Sequence, residues 1–392
     1  MFEQRTRSSV SSRPASLRDI PPRRVMIQPP KQSPVYCPGH TRPVVDICYS
    51  GETDCGHLFI TASKDGKAIL RQGDTGDWIG TFLGHSGAVW SCVLDKHATK
   101  AATGAADFTA KVWDANSGSE LISITQDHIV RCVDLSKTDS GTKLLTANNW
   151  RKISVYDLNS PKSPISIFEG HEQIIRRLLW CGEDKLALSA SEDKTIRLWD
   201  LRDISSKPVA VRQLWSKELS DPVNDIQFNI NCNVDQVTAV AACGNSVQTY
   251  AFDWRYKNLV EQPESLSTFT LSCPVNSVSL HPTEKLLVCG GENHIIYRLN
   301  SETGEILETC KGHFGPLHCV RFSPDGHVFS SGSEDGTVRL WQTVVGSAFG
   351  LWRLSVPNEV SAVNCSNLPT NSKEHCGANL TEVPATGDTV KS

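Results

Sequence analysis

Residues 312–341 read GHFGPLHCVRFSPDGHVFSSGSEDGTVRLW. Gly312-His313 opens the stretch, Pro324-Asp325-Gly326 marks a turn, Ser333 stands two before Asp335, and Trp341 closes an apolar strand. Alternating apolar residues between such turn signals read as β-strands. Working outward, the closing slot recurs. Arg71, Trp113, Tyr156, Trp199, Tyr250, Leu299 and Trp341 occupy it, at intervals of 42, 43, 43, 51, 49 and 42 residues. A fixed period of this length signals repeated supersecondary units. Each unit has room for a four-stranded sheet, which cannot bury its own two faces. Stacking in a closed ring buries them. The spacing predicts an all-β, seven-bladed β-propeller.

The Gly-His and Trp-Asp signature makes these units WD40 repeats. His313, Ser333, Asp335 and Trp341 form one full set, and His171, Ser191, Asp193 and Trp199 another. The Asp in the turn can accept from backbone N–H groups and from the His. The His can pass a hydrogen bond to the Ser, and the Ser can accept from the Trp indole. Buried polar groups must be paired, so such a chain fixes a blade's register. Ser-His-Asp sets also suggest nucleophilic catalysis. Their recurrence by blade favours the structural role, because a nucleophile site would not repeat. The sequence therefore predicts no catalytic, cofactor-binding or metal-ligating residue, and no enzyme. Other blades keep fewer members. His40, Ser63 and Asp65 stand in the first, with Arg71 at the Trp slot. His85, Asp107 and Trp113 stand in the second, with Ala105 at the Ser slot. The third has His128 and Tyr156, with Trp150 at the Asp slot. In the fifth and sixth, Asp221-Pro222 and Cys273-Pro274 replace Gly-His, and their extra length predicts insertions around 202–220 and 253–270.

A ring of this kind needs about 300 residues, which sets its bounds at 34–343 in a chain of 392. Hydrophobic residues at 39% and a net charge of −4 describe a soluble globular chain with no global pull toward nucleic acid. No apolar run reaches a membrane span. The 14 cysteines include no C-x-x-C pair. Cys48, Cys92, Cys132, Cys289 and Cys319 fall within strands as small apolar fillers, which predicts reduced thiols and no zinc site. The sequons at Asn364 and Asn379 then read as chance matches. Residues 1–33 carry seven cations against Glu3 and Asp19, interspersed with Pro and Ser. That composition predicts a disordered basic extension rather than a transit peptide, since it lacks an apolar helical face. Residues 344–392 are expected to be mostly disordered. Pro34–Pro38 should pair with the strand ending at Trp341 and close the ring, with Leu351–Leu354 lying against its side.

Docking positions follow from strand alternation. Four residues after each His lies an apolar packer: Val44, Val89, Ile175 or Leu317. The next residue should face the channel mouth on the Gly-His side: Val45, Trp90, Arg131, Arg176, Asn224, Asn276 and His318. The residue before each turn Asp should form a second ring: Lys64, Ala106, Asn149, Glu192, Cys243, Glu292 and Glu334. Trp and Arg are enriched at binding hot spots. Trp90, Arg131 and Arg176 should therefore make one partner-binding patch, supported by Lys64 and His318, with Glu192, Glu292 and Glu334 making the far side acidic.

Four stretches are more specific than the repeat: Asp65-Gly66-Lys67; LRQGDTGDWIGTFLGHSGAVW at 70–90; ADFTAKVWD at 106–114; and residues 312–352. They resemble the serine/threonine kinase receptor-associated family of WD40 proteins over about residues 36–353, down to Arg71-Gln72-Gly73-Asp74 where Trp-Asp would stand. The resemblance implies a non-enzymatic adaptor, monomeric within a larger complex, in cytoplasm and nucleus. Its implied partners are survival-of-motor-neurons complex subunits, which load Sm proteins on small nuclear RNAs; Unr; and the TGF-β receptor with the inhibitory Smad. RNA would be met only indirectly. The family's tail is acidic, whereas 357–392 carry Glu359, Glu374, Glu382 and Asp388 against Lys373 and Lys391, so no tail function carries over. Two alternatives stand beside this reading. One is a scaffold like the i-subunit of translation initiation factor three. The other is a substrate receptor of a cullin-4 ubiquitin ligase, from Trp199-Asp200-Leu201-Arg202.

Overall fold

A computed structural model describes residues 32–54, 56–138, 141–181, 184–202, 211–230, 236–253, 264–347 and 350–351. Residues 1–31 of the basic extension, and residues 348–349 and 352–392 of the C-terminal segment, Trp352–Leu354 among them, lie outside them; Gln32 is described and its side-chain amide donates to the Gln342 carbonyl at 2.6 Å. Every named element is a strand, and the strands form seven four-stranded antiparallel sheets. After β1 (Val35–Cys37), blade one comprises β2 (Val44–Tyr49), β3 (Leu58–Ser63), β4 (Ala68–Gln72) and β5 (Trp78–Phe82). Blade two follows with β6 (Val89–Leu94), β7 (Lys100–Ala105), β8 (Thr109–Asp114) and β9 (Glu120–Thr125). Blade three has β10 (Val130–Leu135), β11 (Lys143–Asn148), β12 (Ile153–Asp157) and β13 (Ser166–Phe168). Blade four has β14 (Ile175–Cys181), β15 (Leu186–Ser191), β16 (Thr195–Asp200) and β17 (Arg212–Glu218). Blade five has β18 (Val223–Ile230), β19 (Gln236–Cys243), β20 (Ser246–Asp253) and β21 (Glu264–Thr270). Blade six has β22 (Val275–Leu280), β23 (Leu286–Gly291), β24 (Ile295–Asn300) and β25 (Ile306–Lys311). Blade seven has β26 (Leu317–Phe322), β27 (Val328–Ser333) and β28 (Val338–Gln342), completed by β1. The expected insertions are thus partly strand: β17 and β21 occupy much of 202–220 and 253–270, while 203–210 and 254–263 lie outside the described residues.

The apolar core is divided into seven clusters, one between each pair of neighbouring sheets. Strand alternation puts both faces of each sheet into such an interface. The slot residue of a blade packs backward: Trp113 lies with Ile60, Leu70 and Phe82 of blade one, and Trp341 with Val288 and Ile296 of blade six. Closure uses the same contact. Val35, Tyr36 and Cys37 pair with Leu340, Arg339 and Val338, and Cys37 joins Val44, Ile47 and Phe59 in the cluster between blades seven and one. All ten described cysteines are free thiols, and nine are buried. Burial pushes the Cys132 thiol up to about 12, so it packs as a neutral filler.

The polar networks form, but not with the serines the spacing suggests. In blade seven His313 Nδ1 meets Asp335 at 3.0 Å and its Nε2 meets Ser331 Oγ at 2.7 Å, and Trp341 Nε1 donates to Ser331 at 2.8 Å. Blade four repeats this with His171, Asp193, Ser189 and Trp199. Ser333, Ser191 and Ser63 serve the turn instead. Each donates to a backbone carbonyl across the strand and accepts from the N–H of Asp335, Asp193 or Asp65. The Trp ring reaches inward along the sheet, so it finds the hydroxyl one pleat further from the turn. The same shift completes blade two, where Thr103 accepts from Trp113 at 2.8 Å and bonds His85 at 2.7 Å. Ala105 therefore leaves the network intact and costs that blade only the two turn bonds that Ser63, Ser191 and Ser333 make elsewhere. In blade one Thr61 bonds His40, and Arg71, 1% exposed, donates to the carbonyls of Gly76 and Pro38.

Blade three was misaligned by its histidine. Four residues before Val130 stands Gln126, not His128, and Gln126 Nε2 donates to Thr146 Oγ1 at 2.6 Å. His128 sits outside the network. Asn148 Oδ1 takes over the turn, accepting from the N–H groups of Trp150 and Lys152. In blades five and six the equivalent slots hold Leu219 and Leu271, both buried in interblade clusters, so apolar packing replaces the network there.

Three expectations follow. Removing residues 1–38, and with them β1, should lower the melting temperature by roughly 5–10 °C and leave β28 as an edge open to other chains. Calorimetry and gel filtration matching the parent chain would contradict the closure. Ser331→Ala strands both the Trp341 indole N–H and a His313 nitrogen and should cost roughly 2–3 kcal/mol; Asp335→Ala and Asp193→Ala should cost roughly 2–4. Asn149→Ala should stay under about 1 kcal/mol, with Asn148→Ala clearly larger; equal urea midpoints for the two would refute the turn assignment. The third concerns pH. Burial drives His313 down to about 4 against the pull of Asp335. Burial raises Asp335, but the Phe314 and Thr337 hydrogen bonds and His313 outweigh it and hold the carboxyl at about 2. A group with a depressed folded pKa contributes stability above its unfolded value and loses it on acidification. Melting temperature should fall from pH 6.5 toward 4 as His313 titrates, and again from 3.8 toward 2 with Asp335. A rise on acidification from pH 6.5 to 4 would refute this.

Candidate functional site

Each innermost strand carries a β-bulge at the same place. The ladder shifts between Val44 and Asp46, Val89 and Ser91, Val130 and Cys132, Ile175 and Arg177, Val223 and Asp225, Val275 and Ser277, and Leu317 and Cys319. The skipped residues are Val45, Trp90, Arg131, Arg176, Asn224, Asn276 and His318. A bulge re-aims a side chain that the ladder would otherwise hold perpendicular to the sheet, against a neighbouring blade. All seven line a cavity of about 340 Å³ at the channel mouth. Of the second ring, Lys64 and Glu292 reach that lining. Cys243 turns away, its thiol donating to the Asp221 carbonyl.

The patch on blades two to four has a definite geometry. The Arg131 guanidinium lies 3.8 Å from the Trp90 ring centroid, a cation–π stack, with Lys64 Nζ at 5.9 Å. Burial and the neighbouring Arg176 charge lower Arg131 to about 10. Arg176 pairs with Glu192 at 2.5 Å, and Glu334 accepts from Lys64 at 3.2 Å and pairs with His318 at 2.5 Å. The expected acidic far side is therefore not one surface. Glu192 belongs to the Arg176 side, Glu334 bridges blades one and seven, and Glu292 faces Asn276.

Below the mouth lies a second charged layer that the two-ring reading missed. Arg177, from blade four, crosses the channel to Asp46 of blade one at 2.8 Å and approaches Asp225 of blade five at 3.8 Å. Arg321 of blade seven clamps Asp225 with both guanidinium ends, at 2.7 and 2.9 Å. Asp46 also accepts from Ser91 Oγ and the Cys92 N–H, and Asp225 from Ser277 Oγ and the Val278 N–H. These groups are paired and floor the cavity. The available signal was the residue after each bulge, where Asp46, Arg177 and Asp225 recur as charges amid apolar strands.

Outward from Arg131, the Ile129 carbonyl accepts from the Asn149 N–H, which carries the surface to Trp150. Phe108, His128 and Trp150 lie in a row, with centroids 5.4 and 5.5 Å apart, the first pair stacked and the second tilted. Phe108 and Trp150 are 42% and 50% exposed. Among the described residues no group of three or more His, Cys, Asp or Glu could hold a metal ion, and no helix is long and apolar enough to cross a membrane. Arg202 of the Trp199–Arg202 box is tied back to Asp200, its Nε donating at 2.8 Å.

The family model described as WD domain, G-beta repeat, matches residues 76–114, 162–200, 264–297 and 304–342. Serine-threonine kinase receptor-associated protein from Homo sapiens is 48% identical over 331 residues, covering 84% of this chain and 88% of that protein. The protein of the same name from Dictyostelium discoideum is 36% identical over 312 residues, covering 79% and 99%. Eukaryotic translation initiation factor 3 subunit I from Culex quinquefasciatus is more distant, 27% identical with coverage of 78% and 95%. Identity at this level across the whole ring places the chain in a defined branch of WD-repeat propellers: it belongs to the serine-threonine kinase receptor-associated protein family.

Proposed function

We propose that this protein is a non-enzymatic scaffold that seats protein partners on the Gly-His face of its ring. The carrying observation is the set of seven bulges, which spend ladder hydrogen bonds to aim Trp90, Arg131, Arg176 and His318 into one open cavity. A Trp–Arg pair in the wall of a concave site has the composition of a hot spot. The deeper charges are all paired, which leaves no free nucleophile–base set at the cavity floor.

Kinship to proteins named for association with serine-threonine kinase receptors supports a place in receptor signalling, and the sequence resemblance alone suggests the TGF-β receptor and the inhibitory Smad as its partners there. The sequence resemblance supports assembly of spliceosomal ribonucleoproteins with survival-of-motor-neurons subunits and Unr, in cytoplasm and nucleus. Both are adaptor roles and need only a rigid face with several docking positions.

Trp90→Ala together with Arg176→Ala should weaken partner binding by roughly 2 kcal/mol or more, about thirtyfold. Co-purification of the full chain with survival-of-motor-neurons subunits reads this, with melting temperature as the folding control. Recovery of every partner by the folded double variant would move docking to the ring's side or tails.

A further inference from the structure

The mouth has one cation without a counter-ion. Lys64, Arg176, Arg177 and Arg321 each have a carboxylate within ion-pair distance. Arg131 has none among the described residues. It is held flat over Trp90, partly desolvated and next to a like charge. The Trp90 indole N–H is buried with no acceptor, and in the blade-three turn the Asn149 side-chain oxygen is buried with no donor. Buried polar groups left unmade are uncommon in folded proteins. Here one lies on the ring that Arg131 covers and the other on the turn of the same blade as Arg131.

The aromatic row continues this strip along blades two and three. It exists because blade three gave up its network: Gln126 fills the His slot, His128 is released outward, and Trp150 stands where Asp would face the turn. Phe108 holds a left-handed φ of 67° at a turn position where blades one and seven use Gly66 and Gly336. Arg151, Lys194 and His294 hold the same conformation in blades three, four and six, so the turn sets this backbone and blade two is the one that places a phenyl ring on it. Exposed contiguous aromatic surface rimmed by polar residues marks an interaction site.

Two classes of ligand stack on aromatic groups. Nucleic acid needs a track of free cations along its backbone. Along the aromatic row Lys152 is taken by Asp127, and Arg151 by the Glu172 carbonyl. One free cation suits one carboxylate rather than a polyphosphate. An extended peptide also supplies backbone N–H donors for Asn149. Resting on the docking face proposed above, we infer that the mouth and the blade-three rim form one groove for an extended acidic peptide, in which an Asp or Glu pairs with Arg131 and a nearby apolar side chain lies on the Phe108–His128–Trp150 row.

The probe is a phage-displayed library of random peptides, about a dozen residues long, selected on the full chain and followed by fluorescence polarisation of a synthetic consensus peptide. Selected peptides should share an acidic residue with an aromatic or branched apolar residue a few positions away. Replacing that acid by its amide should weaken binding about tenfold, the worth of one charge-assisted pair. Arg131→Gln should do the same, and combining the two changes should add little. Phe108→Ser with Trp150→Ser should weaken the acid and amide peptides equally, at an unchanged melting temperature. Enrichment of basic or uncharged peptides would overturn the proposal, as would equal binding to Arg131→Gln. So would capture of an oligouridine that the Phe108→Ser, Trp150→Ser variant releases. The peptide arm requires no protein variant, so a folding defect cannot obscure the result. If the Trp90→Ala, Arg176→Ala variant loses its partners while no acidic preference emerges, the ligand chemistry alone is wrong. If that variant keeps every partner, the docking face itself is wrong.

Discussion

No sheet of this protein is stable alone, because each has two apolar faces and only a neighbour on either side can cover them. Seven interblade clusters share that burden, and the one between blades seven and one exists only when the two ends of the ring meet. Fully burying a medium apolar side chain contributes about 1.5–3 kcal/mol, so a whole interface outweighs a domain's marginal stability, and β1 supplies the part of this one that Cys37 and Val35 cover. Closure by a three-residue strand from the N-terminal side makes the joint long-range in sequence. The polar networks within blades hold register; the joint decides whether those blades are buried at all.

The axis adds a second constraint. Asp46, Arg177, Asp225 and Arg321 come from blades one, four, five and seven and are linked through the channel. Buried ion pairs are weak evidence for net stability, since desolvation offsets much of the attraction. Their geometry does more: a guanidinium held by carboxylates from opposite blades tolerates little change in ring diameter. The Asp46 and Asp225 carboxylates also bond the next blade's inner strand, so the same residues set spacing around the ring and across it. The cavity above therefore has a rigid floor.

The fold was legible because it rests on repetition. A period, a turn Asp and a closing aromatic survive substitution at any single blade, which is why Arg71 and Leu299 could be placed in their slots without a Trp. Finer assignments failed where two residues of like chemistry compete. Ser331 and Ser333 lie on the same face, and only the reach of the Trp341 ring separates them. His128 drew the reading because it is a His, though counting back from Val130 points to Gln126. Glu192 was assigned to the far rim because strand alternation gives facing but not partner; its pairing with Arg176 depends on two long side chains meeting. The mouth residues were named correctly by alternation, yet the bulge is what aims them, and a bulge leaves no mark on a single strand's pattern.

Blades three, five and six all lack the His–Asp network, and the replacements differ in kind. Leu219 and Leu271 turn the slot into core in blades five and six, and the first three strands of blade five lengthen to eight residues each. Those losses are absorbed inside the protein. Blade three keeps its turn through Asn148 and a shorter polar link through Gln126 and Thr146, while His128 and Trp150 go to the surface. A histidine committed to a buried network cannot also stack on a neighbour at the rim. An aspartate that caps a turn leaves no room there for a Trp. Display and register thus compete for the same positions, and blade three is where display has won. It also carries Arg131, the one mouth cation without a counter-ion among the described residues, so the least self-satisfied part of the ring's chemistry is gathered on one side of its face.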